Sequence, residues 1–320
     1  MEIPLSVVVP AQRWSPHLAR ALHSVLAQSS GAPELVVVDN SVDGSLTADI
    51  RRRYGEGECR TVTCYRNTFF ADGANVGIRA TCRPFVALLN DDAWVAPGWA
   101  EEILVGFASA EVGSVASVVL QHANPHLIDS MGDHLSLTGH AGGIAWNEPA
   151  SSIPVEPCEV FSVSAACAVY RRGAFEQAGG FDDSFVAYLE DVDLGFRLQL
   201  LGYRCVLVPS AVAHHLGGAT YKPRHYALVL TERNMVWNLA KNLPSQLFRR
   251  YWTQILATQA QPAPILGGAS RRAWLEGKSK AFAAWPSLRA RRHAIQGSVC
   301  VDVRYLEKLM RSRDITVCHL

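Results

Sequence analysis

Four groups of residues in this 320-residue chain combine side chains and spacing that suit chemistry. The first is Asn90-Asp91-Asp92, directly after an apolar run that ends at Leu89. Adjacent carboxylates there suit Mg²⁺ or Mn²⁺, hard cations that neutralise a leaving diphosphate. A turn or a helix cap would use the same residues. The second is Glu190-Asp191-Val192-Asp193, which opens a stretch with Leu194, Leu198 and Leu201 along one face. A carboxylate at a helix N-terminus tends to stay ionised, which suits a general base acting on a hydroxyl. Capping the first N–H groups is the plainer use of Glu190 and Asp191, and Asp193 is expected to be a structural, supporting carboxylate. The third is His214-His215 before Gly217-Gly218. A neutral imidazole completes a metal shell begun by an aspartate, and neighbouring side chains point apart, so only one of the two would ligate. The fourth is Asn67 to Gly77, where amides could read a base or ribose and glycines could let backbone approach a ligand. A plain loop before a helix explains that stretch equally.

These residues need elements to position them. Leu5 to Val9 reads as a buried strand, and Ser15-Pro16 as an N-cap with proline at the first helical position. The following helix, to about Gln28, presents Leu18, Leu22, Val25 and Leu26. Strands over Glu34 to Asp39, Arg60 to Tyr65 and Pro84 to Leu89 alternate with a polar helix and one over Ala71 to Ala80. Apolar strands alternating with helices predict a parallel sheet covered on both faces, with ligands beyond the strands' carboxyl ends. That points to Pro10-Ala11-Gln12, Asp39-Asn40-Ser41 and Asn90-Asp91-Asp92. Gln121 to Pro157 reads as loops or short antiparallel strands over the site. Phe161 to Tyr170 reads as a strand, Arg172 to Ala178 and Asp191 to Leu201 as helices, and Tyr203 to Val208 as a further strand. The chain is helical from about Pro223, with prolines as breaks.

Composition excludes several classes. Hydrophobic residues make up 49% and charged residues 18%, so the chain is globular rather than disordered. No apolar run approaches the roughly 18 residues of a spanning helix, and no basic stretch precedes the first strand, so neither a membrane span nor a signal peptide is expected. The 8 cysteines include no C-x-x-C pair, which points to reduced thiols in a cytoplasm rather than a zinc knuckle. Charge is uneven. Residues 241–320 hold 14 Lys and Arg against 4 Asp and Glu, and the remainder 16 against 25. An acidic part and a basic tail suggest two tasks. Packing on the catalytic part is expected of the tail first, then a homodimer through its helices or peripheral contact with the inner face of a membrane. No aromatic–basic recognition motif speaks for nucleic acid.

In order along the chain, several segments resemble the family 2 glycosyltransferases, especially the rhamnosyltransferase-like branch. They are Val37-Val38-Asp39-Asn40-Ser41 with Asp43-Gly44-Ser45; Asn67 with Gly73, Asn75 and Gly77; Leu89-Asn90-Asp91-Asp92; Gly179-Gly180-Phe181-Asp182 with Glu190 to Leu194 and Arg197; Gly202-Tyr203; and Val208-Pro209 with His214. Arg233-Asn234 fits the start of the family's later helical region. The likeness covers roughly residues 3–240.

The resemblance implies an α/β fold of the GT-A type, a Rossmann-like mixed sheet flanked by helices with a helical C-terminal extension. The catalytic domain would span 1–240, with a nucleotide-sugar half to about 120 and an acceptor half beyond it, followed by the basic region 241–320. It implies a metal-dependent, inverting transfer from a nucleotide-diphosphate sugar, dTDP-rhamnose or a UDP-hexose, to a glycan, lipid-linked or small-molecule acceptor. By resemblance, Asp39 reads the nucleobase, and Pro10, Asn67, Asn75 and Asp91 belong to the nucleotide pocket. Asp92 and His214 hold Mg²⁺ or Mn²⁺, with His215 as the alternative, and Asp191 is the catalytic base with Glu190 beside it. The chain departs from the family pattern at Pro10-Ala11-Gln12, at Thr68-Phe69-Phe70 and at Asn90, where a strict D-x-D has Asp. A sugar nucleotidyltransferase is the rival enzyme, but Pro10 to Trp14 is not the glycine-rich loop it needs. An inactive nucleotide-sugar-binding relative is the other rival. No G-x-G-x-x-G follows the first strand, so a dinucleotide dehydrogenase is not expected.

Overall fold

The computed structural model describes residues 3–29, 31–55, 57–217, 224–261, 271–311 and 316–317. Its first half is the expected alternation: β1 (Leu5–Ala11), α1 (Pro16–Leu26), β2 (Glu34–Asp39), α2 (Ser45–Arg53), β3 (Arg60–Thr63), α3 (Phe69–Arg79) and β4 (Phe85–Leu89). Ser15 caps α1 through a 3.0 Å bond from the Leu18 N–H, with Pro16 beginning the first turn. Leu18, Leu22 and Val25 are buried against the sheet. β1 pairs in parallel with β2 and β4, and β2 with β3.

The sheet continues through β5 (Ala93–Val95), α4 (Trp99–Val105), β6 (Val112–Gln121) and β7 (Ile128–Ser130). The short strands β8 (Asp133–Leu135) and β9 (Ala141–Gly143) form a separate hairpin, as the stretch to Pro157 suggested. Next come β10 (Cys158–Val160), β11 (Cys167–Arg171), α5 (Arg172–Gln177), α6 (Glu190–Leu200) and β12 (Arg204–His215). α7 (Arg224–Asn242), α8 (Ser245–Gln259), α9 (Arg271–Ala283), α10 (Trp285–Gly297), α11 (Val303–Arg311) and β13 (Thr316–Val317) complete the chain. The main sheet runs β13-β10-β12-β6-β11-β4-β1-β2-β3. β11 lies antiparallel to both β4 and β6 and joins the two halves, so the sheet is mixed rather than wholly parallel.

Two expected strands differ in extent. Phe161 to Tyr170 is not one strand, because the backbone of Phe161 to Ala166 bonds elsewhere. Ser162 exchanges N–H and C=O bonds with Asp133, and the Ala165 N–H turns to the Asp191 carboxylate. β12 runs beyond Val208 to His215, with a register shift between Val208 and Val212. Pro209 falls in that shift, where its missing N–H costs no ladder bond.

Apolar side chains fill both faces of the sheet. Val7, Val9, Leu18, Leu22, Trp99 and Ile103 belong to one cluster, and Val8, Val38, Ile78, Tyr170, Leu194 and Leu198 to the other. The tail packs on the catalytic part. Leu247, Tyr251, Ile255, Leu306 and Met310 share a third cluster with Phe161, Phe196 and Leu200. The boundary expected at 240 falls in the last turn of α7. No helix among the described residues is long and apolar enough to cross a membrane.

Candidate active site

A cavity of about 880 Å³ opens beyond the carboxyl ends of the first-half strands. Pro10, Ala11 and Gln12 reach it from β1, Asn40 from the end of β2, and Asn90 and Asp91 from the end of β4. Asn67, Phe69 and Phe70 reach it from the start of α3. Glu190, Asp191 and Val192 reach it from the start of α6, and Asp133, Ser164, Ala165 and His215 also line it. Carboxylates from distant stretches of chain thus share one space, as the switch-point logic of open α/β sheets requires.

Asp191 occupies the first turn of α6. Its carboxylate accepts the Ala165 N–H at 3.1 Å and the Val192 N–H at 2.8 Å. Burial pushes its pKa above the ordinary Asp value, and these backbone donors pull the other way. Asp133 is buried, with the Ser162 hydroxyl at 3.3 Å. Burial first, then the Asp191 charge, holds the Asp133 carboxyl well above its usual range.

At the other end, Asp92 is buried while Asp91 faces the cavity. Burial and the Asp92 charge raise Asp91 to about 6. The Asp92 Oδ1 lies 3.2 Å from Nε2 of His215, whose Nδ1 lies 2.8 Å from Oδ2 of Asp129. Burial draws the imidazole pKa down, but bonds to Asp129 and Asp92 outweigh it and raise His215 to about 9. Both ring nitrogens thus face carboxylates; a cation bound at Nε2 would take the place of its proton, with Asp129 on Nδ1 orienting the ring.

His214, the expected metal residue, is not there. It lies in β12 opposite Trp94 of β5, and strand alternation turns it to the other face. Its ring stacks on Trp94 at 5.8 Å, and the Arg20 guanidinium covers the same indole at 3.6 Å. The histidines sit inside a strand rather than after it, and that decides which one meets Asp92.

Asp39, expected to read the nucleobase, is bonded within the chain and is not in the cavity wall. It is 0% exposed, and its oxygens accept the Ser41 N–H at 2.8 Å, the Ser41 hydroxyl at 2.5 Å and the Thr47 N–H at 2.7 Å. That carboxylate closes the turn after β2 and caps α2. Asn40, the next residue, is the one in the cavity wall. Asn75 is likewise occupied: its amide bonds both the N–H and the C=O of Phe181, at 2.9 and 2.8 Å, tying α3 to the segment before α6. Asn67 does line the cavity, although its Oδ1 accepts the Phe69 N–H at 2.9 Å. The glycine of α3 at position 77 serves packing rather than a ligand. A Cβ there would stand 2.3 Å from Val8 and 2.6 Å from Val38.

Residues 3–238 match the family described as glycosyltransferase like family 2. The chain belongs to that family. It is similar to the N-acetylglucosaminyl-diphospho-decaprenol L-rhamnosyltransferase of Mycobacterium tuberculosis, at 29% identity over 250 residues, 68% of this chain and 77% of that one. Among solved structures it is similar to GalNAc-T7 with UDP, GalNAc and Mn²⁺ (TM-score 0.62, 14% identity), covering 88% of this chain and 56% of that one. It is also similar to the mannosyltransferase PcManGT of Pyrobaculum calidifontis with GDP-Man and Mn²⁺ (TM-score 0.52, 17% identity), covering 96% and 79%. The fold is therefore that of the GT-A glycosyltransferases, and the chain is a glycosyltransferase.

In this glycosyltransferase, sequence reasoning missed Asp129, Asp133 and the Ala165 N–H. Asp129 and Asp133 sit in the Gly-, His- and Asn-rich stretch taken as cover over the site. Ile128-Asp129-Ser130 places one carboxylate between two apolar or small neighbours, a short-strand alternation that was the available signal. The Ala165 N–H has no side-chain signature at all.

The expected supporting role of Asp193 is what the structure shows. It is 0% exposed and pairs with Arg197 at 2.8 Å and Lys241 at 2.8 Å. Burial alone would raise its pKa, but the two cations hold it below the usual value. Lys241 also bonds Asp182 at 2.5 Å, and Arg291 of α10 joins the same carboxylate. Three residues in the turn before α6, Val186, Tyr188 and Leu189, have positive φ of 67°, 68° and 63°. Such conformations cost roughly 1–3 kcal/mol each and persist only where the surroundings over-determine them.

Proposed function

We propose that this glycosyltransferase is an inverting enzyme that uses a nucleoside-diphosphate sugar, with Asp191 as the base. The observation carrying this reading is that Asp191, Asp91 and His215 line one cavity, with Asp92 3.2 Å from His215. Inversion needs a proton acceptor on one side of the sugar and charge relief on the other. The acceptor hydroxyl gives its proton to the Asp191 carboxylate as its oxygen bonds the anomeric carbon. The bond from that carbon to the diphosphate breaks on the opposite face, and the nucleoside diphosphate leaves. Glu190, in the same wall, faces the sugar as positive charge develops on the ring.

Asp92 and Nε2 of His215 have the chemistry of a Mn²⁺ or Mg²⁺ site: a hard oxygen, an imidazole nitrogen and a carboxylate behind it. Among the described residues no three His, Cys, Asp or Glu side chains form a complete set, so phosphate oxygens would supply the remaining ligands, as is usual for Mg²⁺. When bound, such a cation screens the charge of the departing diphosphate. Asn67 and Asn40, with Pro10 and Gln12, are the groups placed to meet the nucleoside.

For substrates we propose dTDP-rhamnose as donor, with UDP-hexoses as the alternative, and a diphospholipid-linked sugar as acceptor. The rhamnosyltransferase relative supports this choice. The test is a thermal-shift screen of nucleoside diphosphates and their sugars with and without Mn²⁺, because a ligand that binds only the folded state raises Tm. The selected donor is then followed by NMR of the anomeric proton. A product with retained configuration, or shifts indifferent to Mn²⁺, would refute the corresponding part of the reading.

A further inference from the structure

We infer that Asn234 is a positioning residue for catalysis: from α7 it fixes the strained turn through which Asp191 is delivered to the cavity. This rests on the reading of Asp191 as the base. The turn runs from Ser184 to Leu189. Val186 adopts φ 67° and ψ −57°, and the Ala187 N–H closes a γ-turn on the Phe185 carbonyl at 2.7 Å. Tyr188 and Leu189 follow in the left-handed region, and Leu189 is the N-cap of α6. None of the three is glycine, and Val186 is β-branched, so the chain does not favour this path by itself.

One face of α7 holds it. The Asn234 Nδ2, from a side chain that is 0% exposed, shares its two hydrogens among the carbonyls of Phe185 at 3.2 Å, Ala187 at 3.0 Å and Tyr188 at 2.6 Å. Its Oδ1 accepts the Arg233 Nε–H at 2.8 Å, which fixes the amide with its donors towards the turn. Arg233 Nη2 donates to the Ser184 and Phe185 carbonyls at 3.0 and 2.7 Å. Asn238, one helical turn on, reaches the Leu189 carbonyl at 3.3 Å. Three of the residues so held, Ala187, Tyr188 and Leu189, line the cavity immediately before Glu190 and Asp191. Asn234 is not itself in the cavity wall, so it acts on the reaction only through this turn.

A role confined to folding would lower stability without separating turnover from binding. A positioning role separates them. In Asn234→Ala the turn relaxes and Asp191 shifts. A displacement near 1 Å costs about 10²-fold in turnover, while affinity for UDP or dTDP with Mn²⁺ stays unchanged. Hydrogen exchange in a peptide spanning 185–192 becomes faster than in the wild type, a readout that needs no substrate. Turnover is measured with the donor selected by the nucleotide screen. In an Asp191→Asn background, Asn234→Ala brings no further loss, because the group it positions is already gone. Asn238→Ala, which removes one bond to the turn and the one it accepts from Asn242, moves every readout the same way by less, and it decides the matter if Asn234→Ala does not fold.

Unchanged exchange in 185–192, full turnover, a nucleotide affinity that falls in step with turnover, or an additive loss in the Asp191→Asn background would each overturn the inference. Near-normal turnover of Asp191→Asn alone would instead remove the base assignment on which it stands.

Discussion

Replacing Asp191 with Asn separates the chemical role of this residue from its structural one. Asn is nearly isosteric but has one acceptor oxygen where Asp has two. The carboxylate now receives the N–H groups of Ala165 and Val192, so the variant leaves one of them facing an NH₂ group. An unpaired buried donor costs about 1–3 kcal/mol. Against this, Asn carries no charge into a site where burial already disfavours the ionised form, so the net loss of stability lies at or below that range. At roughly 2–4 °C per kcal/mol for chains somewhat shorter than this one, Tm falls by a few degrees and the protein stays folded. The chemical loss is larger. Removing a general base costs about 10²–10⁴-fold, or about 3–5 kcal/mol of barrier at roughly 1.4 kcal/mol per decade. The assay is steady-state nucleoside-diphosphate release with titration calorimetry of the nucleotide. kcat should fall by that factor while nucleotide affinity holds. Turnover near wild type would refute the base assignment, and a loss of affinity equal to the loss of turnover would show that Asp191 binds rather than reacts.

Four further outcomes follow from the geometry. His215→Ala should abolish Mn²⁺-dependent nucleotide binding while His214→Ala leaves it intact; calorimetry with and without EDTA would sink the assignment if the two behaved in reverse. Gly195→Ala should cost at least the roughly 1–3 kcal/mol of an overpacked core in a urea melt, because its Cβ would stand 2.2 Å from that of Ser162; it should also lower kcat by shifting the segment that carries the Ala165 N–H, and an unperturbed variant would contradict the packing. Asp133→Asn should raise Tm at neutral pH: a carboxyl with a raised folded pKa is stabilising below its unfolded value and loses that contribution as pH rises, so the gain should vanish towards pH 4, near the ordinary Asp value, and a gain constant with pH would deny the burial effect. Lys241→Met should cost about 3–5 kcal/mol, the penalty for breaking a buried ion pair, measured as a fall in urea midpoint at constant m; a loss under 1 kcal/mol, the range of exposed pairs, would mean that Arg197 is the one cation Asp193 needs.

The strands and helices of the first half were legible because their signals are local. Ser15-Pro16 caps a helix whatever surrounds it, and five apolar residues from Leu5 to Val9 leave few alternatives to a buried strand. Asp91 and Asp191 were legible for a related reason: element ends deliver polar residues to the rim of an α/β sheet, and both line the cavity. The failures have one physical character. Choosing between His214 and His215 depends on where a strand ends and thus on the phase of its alternation. Here the strand continued through a proline-marked register shift that no local signal extends across. Asp39 and Asn75 have residue types fit for a ligand, but whether they face one depends on partners eight and 106 residues away, Thr47 and Phe181. Sequence shows what a side chain is able to bond; the folded neighbours decide whether it is already bonded.

The charge asymmetry takes on a different meaning once these partners are known. An acidic catalytic part and a basic tail suggested two separate tasks, yet the structure joins the two at a single place. Asp182 and Asp193 bracket the turn and the first residues of α6. Their counter-charges include Lys241, at the end of α7, and Arg291, in α10. Asn242 adds a 2.8 Å bond to Asp193. Apolar tail residues Leu247, Ile255 and Leu306 meanwhile close over Phe196 and Leu200 of the same helix. Two desolvated carboxylates beside Asp191 are costly unless cations reach them, and among the described residues before α7 the cation paired with Asp193 is Arg197. The basic C-terminal region thus supplies the charge that lets an acid-rich helix begin at the wall of the cavity, and the element that carries Asp191 is assembled from both parts of the chain.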